Sequence, residues 1–153
     1  IINVSSEAHR FGGLNLKDLD WRKRPYIGLL AYGAAEIAQI HTSARLAEQL
    51  QDSGVTVNEI HPGAVKSNIG MNNGLFYRTY KRYILQWFLK DPIKSAKAIY
   101  YLAAAPELES TTGKYFNLTI EEKPAWYAVK SKLRQQVWDQ SIRLIQPYLK
   151  ENQ

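Results

Sequence analysis

Three groups of residues in this sequence could do chemistry. Ser5 and Ser6 set two hydroxyls side by side directly after an apolar, strand-like run, Ile1 to Val4. Tyr32 sets a phenol near the start of the strongest helical pattern. His61-Pro62-Gly63-Ala64-Val65-Lys66-Ser67 forms a turn at the end of a second strand-like run. Hydroxyls and phenols donate and accept hydrogen bonds, and a phenol also titrates. In an open α/β sheet, ligands bind outside the carboxyl ends of the strands. All three groups fall at such ends, or on the helix that begins there. Each has a plainer reading when taken alone: a strand-ending turn for Ser5-Ser6, a rim residue of an amphipathic helix for Tyr32. The chain has no Cys, which excludes thiolate nucleophiles, disulfides and Cys-ligated metals. His9, His41 and His61 are scattered, without carboxylates at ligand spacing, and read as structural.

The elements that position these groups follow from the apolar pattern. Ser5 to Arg24 is a polar loop containing Gly12-Gly13 and the charged stretch KDLDWRKR. Pro25 to about Asp52 carries apolar residues at helical spacing, including Leu29, Leu30, Ala34, Ile37, Ala38, His41, Ala44 and Leu50, and Gly54 stops it. Val55 to His61 alternates β-formers with polar residues, which predicts a half-buried strand. GMNNG at 70–74 reads as a loop, and Leu75 to Lys90 as an aromatic, basic helix. Asp91-Pro92 supplies an N-cap and a first-turn proline for the next helix, which Pro106 bounds. Gly113 to Leu118 predicts a short strand, and Lys123 to Leu149 a mostly helical tail. Strands alternating with helices of this length predict crossover connections and a parallel sheet. The fold class is therefore α/β, a Rossmann-type parallel sheet with flanking helices. Three strands are few for that architecture, and the opening residues read as a strand already in progress. Residues 1–153 are thus expected to be the C-terminal part of a single doubly wound α/β domain whose N-terminal half is missing.

The segments NVSSEAHRFG, AYGAAEIAQIHTSARLAEQL and GVTVNEIHPGAVKSNIG, in that order, resemble the short-chain dehydrogenase/reductase family, and specifically its retinol-dehydrogenase-like branch. The resemblance runs to about Leu149. It implies that Ser6 hydrogen-bonds the substrate oxygen and that Tyr32 is the catalytic acid/base. It also implies that Pro62, Gly63, Val65 and Ser67 belong to the turn holding a nicotinamide carboxamide. The implied cofactor is NAD(P), which supplies the hydride while the protein orients and handles protons. The implied reaction interconverts a carbonyl and an alcohol on a small apolar substrate.

The sequence departs from that family twice. The family pattern has Lys four residues after the tyrosine, where this chain has Glu36. Residues i and i+4 share a helix face. A lysine there favours the phenolate and a carboxylate disfavours it, raising the tyrosine from its ordinary value of about 10. Glu36 could still accept a hydrogen bond from a cofactor ribose. The second departure is that no G-x-G-x-x-G follows a strand, so these residues include no pyrophosphate loop. Two readings follow: an oxidoreductase, or a catalytically impaired relative that serves as a binding or interaction module.

Twenty Lys and Arg against 14 Asp and Glu give a net charge of +6, which favours anionic partners without choosing among them. The segment Tyr77 to Lys90 reads as a lid or packing element over an apolar pocket, with a membrane surface as the lesser reading. One short basic–aromatic run without a recognised module argues against nucleic acid. The long helix, Tyr32 to Leu50, is the expected surface for a homodimer. The expected location is cytoplasmic.

Overall fold

The computed structural model describes residues 1–64 and 91–149. The GMNNG loop and the aromatic, basic segment expected to cover a pocket lie outside them. Strand β1 (Ile2–Val4) pairs in parallel with β2 (Asn58–His61), and β2 in parallel with β3 (Tyr115–Asn117). A fourth strand, β4 (Ile120–Glu122), turns back antiparallel on β3. The parallel sheet expected from the sequence is thus present, with one antiparallel strand added at its edge. Leu118, at φ 56, makes the hairpin bend, and Asn117 faces Ile120 across it. This hairpin has no Asn-Gly or Asp-Gly turn to announce it. Its strand, Ile-Glu-Glu, is too polar for apolar alternation to reveal.

Helices cover both faces of the sheet. Helix α1 (Gly28–Gln49) presses Ile37 and Ile40 against Tyr115 and Ala128 on one face. Helix α2 (Pro92–Ala104) presses Ala98 and Leu102 against Ile60 and Phe116 on the other. Helix α3 (Ser131–Leu149) lies against α1, where Arg134 pairs with Glu48. The cap of α2 is the expected one: Asp91 accepts from the Ile93 amide at 2.9 Å, with proline in the first turn.

Helix α1 begins three residues later than its apolar pattern predicts. The Asp18 carboxylate accepts from the Arg22 and Lys23 amides at 2.8 and 3.1 Å and pairs with Arg24 at 3.4 Å. Arg24 also stacks 3.6 Å from the centroid of the Trp21 ring. These bonds fold residues 18–24 into a knot, and the chain leaves it extended through Ile27. Strand β2 is likewise shorter than the expected 55–61, and both Asn58 and Glu59 are buried in it. A strand covered on both faces has no solvent side, so its polar residues cannot be read as outward-facing.

One close approach fixes how α1 sits. A 3₁₀ turn at Glu7–Arg10 packs its backbone against the first turns of the helix, through Gly12 and Gly33. A Cβ on Gly33 would overlap the Ala8 carbonyl oxygen and come within 2.7 Å of the Gly12 nitrogen. Nothing lies within 4 Å of a Cβ on Gly13. Gly33→Ala is therefore expected to lower stability by about 1–3 kcal/mol through overpacking, despite alanine's better helix propensity. Gly13→Ala should stay within about 0.5 kcal/mol of the parent. Paired denaturant titrations compare the two, and equal midpoints would show that the approach is not tight.

Candidate functional site

The register Val4↔Ile60 makes β1 and β2 end side by side. The chain after β1 is Ser5-Ser6, and the chain after β2 is His61-Pro62-Gly63. The Ser5 amide donates to the Ile60 carbonyl at 2.7 Å, holding the first serine against the second strand. Ser6 caps the 3₁₀ turn, accepting from the Ala8 amide at 3.2 Å. His9, fully buried, clasps this turn from below. Its Nε2 accepts from the Ala125 amide at 3.1 Å, so Nδ1 carries the proton and donates to the Ser6 carbonyl at 2.8 Å. The structural role expected of His9 is thus to fix the backbone of the residue bearing the first candidate hydroxyl.

Seating α1 on that turn brings Tyr32 to Ser6. The phenol lies near enough to the Ser6 hydroxyl and the Glu36 carboxylate for both to act on its ionisation, and Tyr32 remains 44 % exposed. Glu36 is buried beneath it and accepts from the Ser5 hydroxyl at 3.0 Å. Partial burial of the phenol raises the Tyr32 pKa. The Ser6 hydroxyl opposes this by bonding to the phenolate, and the charge and hydrogen bond of Glu36 raise it further. The net shift is upward, in the direction the sequence predicts for a carboxylate in this place.

The turn after β2 is built for a close bend. Gly63 has φ +82, a conformation other residues rarely adopt. Ser95, from the first turn of α2, donates to the Pro62 carbonyl. Val65 and Ser67, expected in the same turn, lie outside the described residues. Ser6, Tyr32, Glu36, Pro62 and Gly63 are therefore gathered at one edge of the sheet. Among the described residues, no group of three His, Asp or Glu side chains could hold a metal.

Residues 21–76 match the family model for short chain dehydrogenases. The chain is 36 % identical to mouse retinol dehydrogenase 13 over 149 residues, which is 95 % of this chain and 45 % of that protein. It is 33 % identical to the chloroplastic short-chain dehydrogenase TIC 32 B of Brassica napus, over 95 % of this chain and 46 % of that one. The chain belongs to the short-chain dehydrogenase/reductase family. Within it the chain is retinol-dehydrogenase-like, and it spans under half the length of these relatives. Among solved structures, a protein of Mycobacterium paratuberculosis superposes at TM-score 0.67 with 22 % identity, covering 95 % of this chain and 49 % of its own. A short chain dehydrogenase of Burkholderia cenocepacia, solved with NADP, gives 0.52 and 20 %, covering 76 % and 42 %. Both confirm the Rossmann-type fold.

Sequence reasoning missed Ser5 as the partner of Glu36, Ser95 as the pin of the turn, and Glu59. Glu59 lies on β2 facing α1, and burial pushes its carboxyl from 4.5 up to about 7. The Ser43 and Ser5 hydroxyls draw it back in part, and the Glu36 charge raises it again. Those hydroxyls lie nearby, but neither Glu59 oxygen makes a hydrogen bond within 3.5 Å among the described residues.

Two outcomes follow. Glu36→Gln should lower the Tyr32 pKa, and Glu36→Lys should lower it further, read from the ¹³Cζ shifts of labelled tyrosine against pH. An unchanged titration in both would show that the carboxylate does not act on the phenol. For Glu59, the native carboxyl holds a proton between pH 4.5 and about 7 where the unfolded one does not. Its contribution to stability therefore falls as pH rises through that window and is flat above it, a change on the order of 3 kcal/mol. Glu59→Gln should flatten that limb in urea titrations at pH 5 and pH 8. A slope retained in the variant would assign it elsewhere.

Proposed function

We propose that the protein is an NAD(P)-dependent oxidoreductase that interconverts a carbonyl and an alcohol on a small apolar substrate, with Ser6 and Tyr32 at the reacting oxygen. The observation that carries this reading is the approach of the Tyr32 phenol to the Ser6 hydroxyl, beside the carboxyl ends of β1 and β2. An apolar substrate is supported by Leu29, which lies one helical turn before Tyr32 and is 58 % exposed. The names of the retinol dehydrogenase relatives point the same way. The 153 residues are, on this reading, the C-terminal part of a single dinucleotide-binding domain.

The residues present suit the nicotinamide end of the cofactor. Pro62 and Gly63 offer backbone groups on a pinned bend, Val65 and Ser67 extend that turn in sequence, and Glu36 can accept from a ribose hydroxyl. No Gly-rich loop for the pyrophosphate occurs in these residues. The cofactor supplies or accepts the hydride. The Ser6 hydroxyl donates to the substrate oxygen and orients it. Tyr32 gives that oxygen its proton when a carbonyl is reduced. Glu36 keeps the phenol protonated to higher pH than a lysine would, so the site is poised as a proton donor and works in reduction. The same reading includes a homodimer through the Tyr32 to Leu50 helix and a cytoplasmic location. No helix among the described residues is long and apolar enough to cross a membrane.

A second reading, a relative that binds without turnover, is favoured by the same upward shift of Tyr32. NADPH oxidation by the whole protein with retinal, an apolar aldehyde, separates the two. Tyr32→Phe should cost at least about 100-fold in turnover. Glu36→Lys should move the rise of the reverse, oxidative rate to lower pH. Saturable NADPH fluorescence without turnover would establish the second reading, and full activity in Tyr32→Phe would overturn the first.

A further inference from the structure

A cavity of about 250 Å³ lies between α1, β2, β3 and residues 121–129. Ser43 is among its lining residues, eleven residues or about 16 Å along α1 from Tyr32. Its wall is apolar at Ile40, Val57, Ala128 and Val129. Glu59 also lines it, 3 % exposed, with both carboxylate oxygens unpartnered among the described residues. A buried carboxylate without hydrogen bonds is costly, and native structures seldom leave one unanswered. Three cations line the rim, and the exposed Lys123 makes no ion pair among the described residues. Lys114 pairs with Glu121 at 2.7 Å, and Arg134 pairs with Glu48. A metal ion is a poor answer, because no three His, Asp or Glu side chains converge among the described residues.

The size of the cavity narrows the choice. A space of about 150 Å³ accepts benzene, so this one accepts an aromatic ring with a short arm. We propose that the cavity is a binding site for a small organic ammonium ion, its charged head on Glu59 and its apolar body against Ile40, Val57 and Ala128. This site is separate from the oxidoreductase site and does not depend on that reading.

Calorimetric titration of the full chain with 2-phenylethylammonium at pH 8 tests it. Saturable one-to-one binding is expected, weakened about tenfold or more in Glu59→Gln, since a hydrogen bond to a charge is lost. The parent should also bind more weakly at pH 6, where a carboxyl that titrates at about 7 is largely protonated. Ala44→Leu fills the cavity while leaving Glu59 intact, and should abolish binding. 2-Phenylethanol should bind weakly and equally to the parent and Glu59→Gln. No saturable binding of the amine at pH 8, equal affinity in Glu59→Gln, or tighter binding of 3-phenylpropionate would each overturn the proposal. Should Glu59→Gln fail to fold, the pH arm on the parent and the Ala44→Leu arm decide.

Discussion

The backbone contact of Gly33 with Ala8 and Gly12 is the constraint on which the site depends. A helix normally meets a neighbouring segment through side chains, at a separation those side chains set. Here two glycines remove that spacer, and the first turns of α1 rest on the backbone of the turn after β1. Tyr32 sits next to Gly33 in sequence, and Ser6 two residues before Ala8. Bringing the two backbones together therefore brings the phenol to the hydroxyl. His9 holds the turn from the opposite side, through Ser6 and Ala125. The serine is thereby clamped between the helix and the segment leading to α3. A rigid seat of this kind is what proton transfer requires, because small errors in position are costly to rate.

The legible parts of the fold were those where a local rule and the tertiary structure agree. Asp91-Pro92 announces its helix because cap and proline act within one turn, and the structure uses both. Ser5-Ser6, Tyr32 and Pro62-Gly63 were legible as a group only through family resemblance. Nothing in their types alone says that they meet. The start of α1 was misread because the Asp18 carboxylate takes the amides of Arg22 and Lys23, a contact between residues four and five apart that apolar periodicity does not register. Strand β4 was missed because two of its three residues are glutamates, and its pairing with β3 is carried by backbone and by Lys114–Glu121.

Glu59 was illegible for a different reason. Alternation assigned it to a solvent face that β2 does not have, since α1 and α2 cover the two sides of the sheet. A glutamate in such a strand must find partners inside the protein. The nearest donors are on Ser5 and Ser43. Ser43 accepts from the Asn3 amide at 2.6 Å, which fixes its oxygen on the β1 side.

Ser5 has a single hydroxyl proton, and Glu36 takes it at 3.0 Å. The carboxylate on α1 and the carboxylate on β2 thus compete for one donor, and the first wins. Placing an acid beside Tyr32 therefore has a consequence on the far side of the helix. With Ser5 committed, the hydroxyl proton of Ser43 is the remaining nearby donor for Glu59, and the charge of Glu36 disfavours its ionisation. A lysine at position 36 would reverse both effects, releasing the Ser5 proton and supplying a positive charge where a negative one stands. The chemistry at the phenol and the state of the rear cavity are in this way set by the same residue, and neither can be altered at position 36 without altering the other.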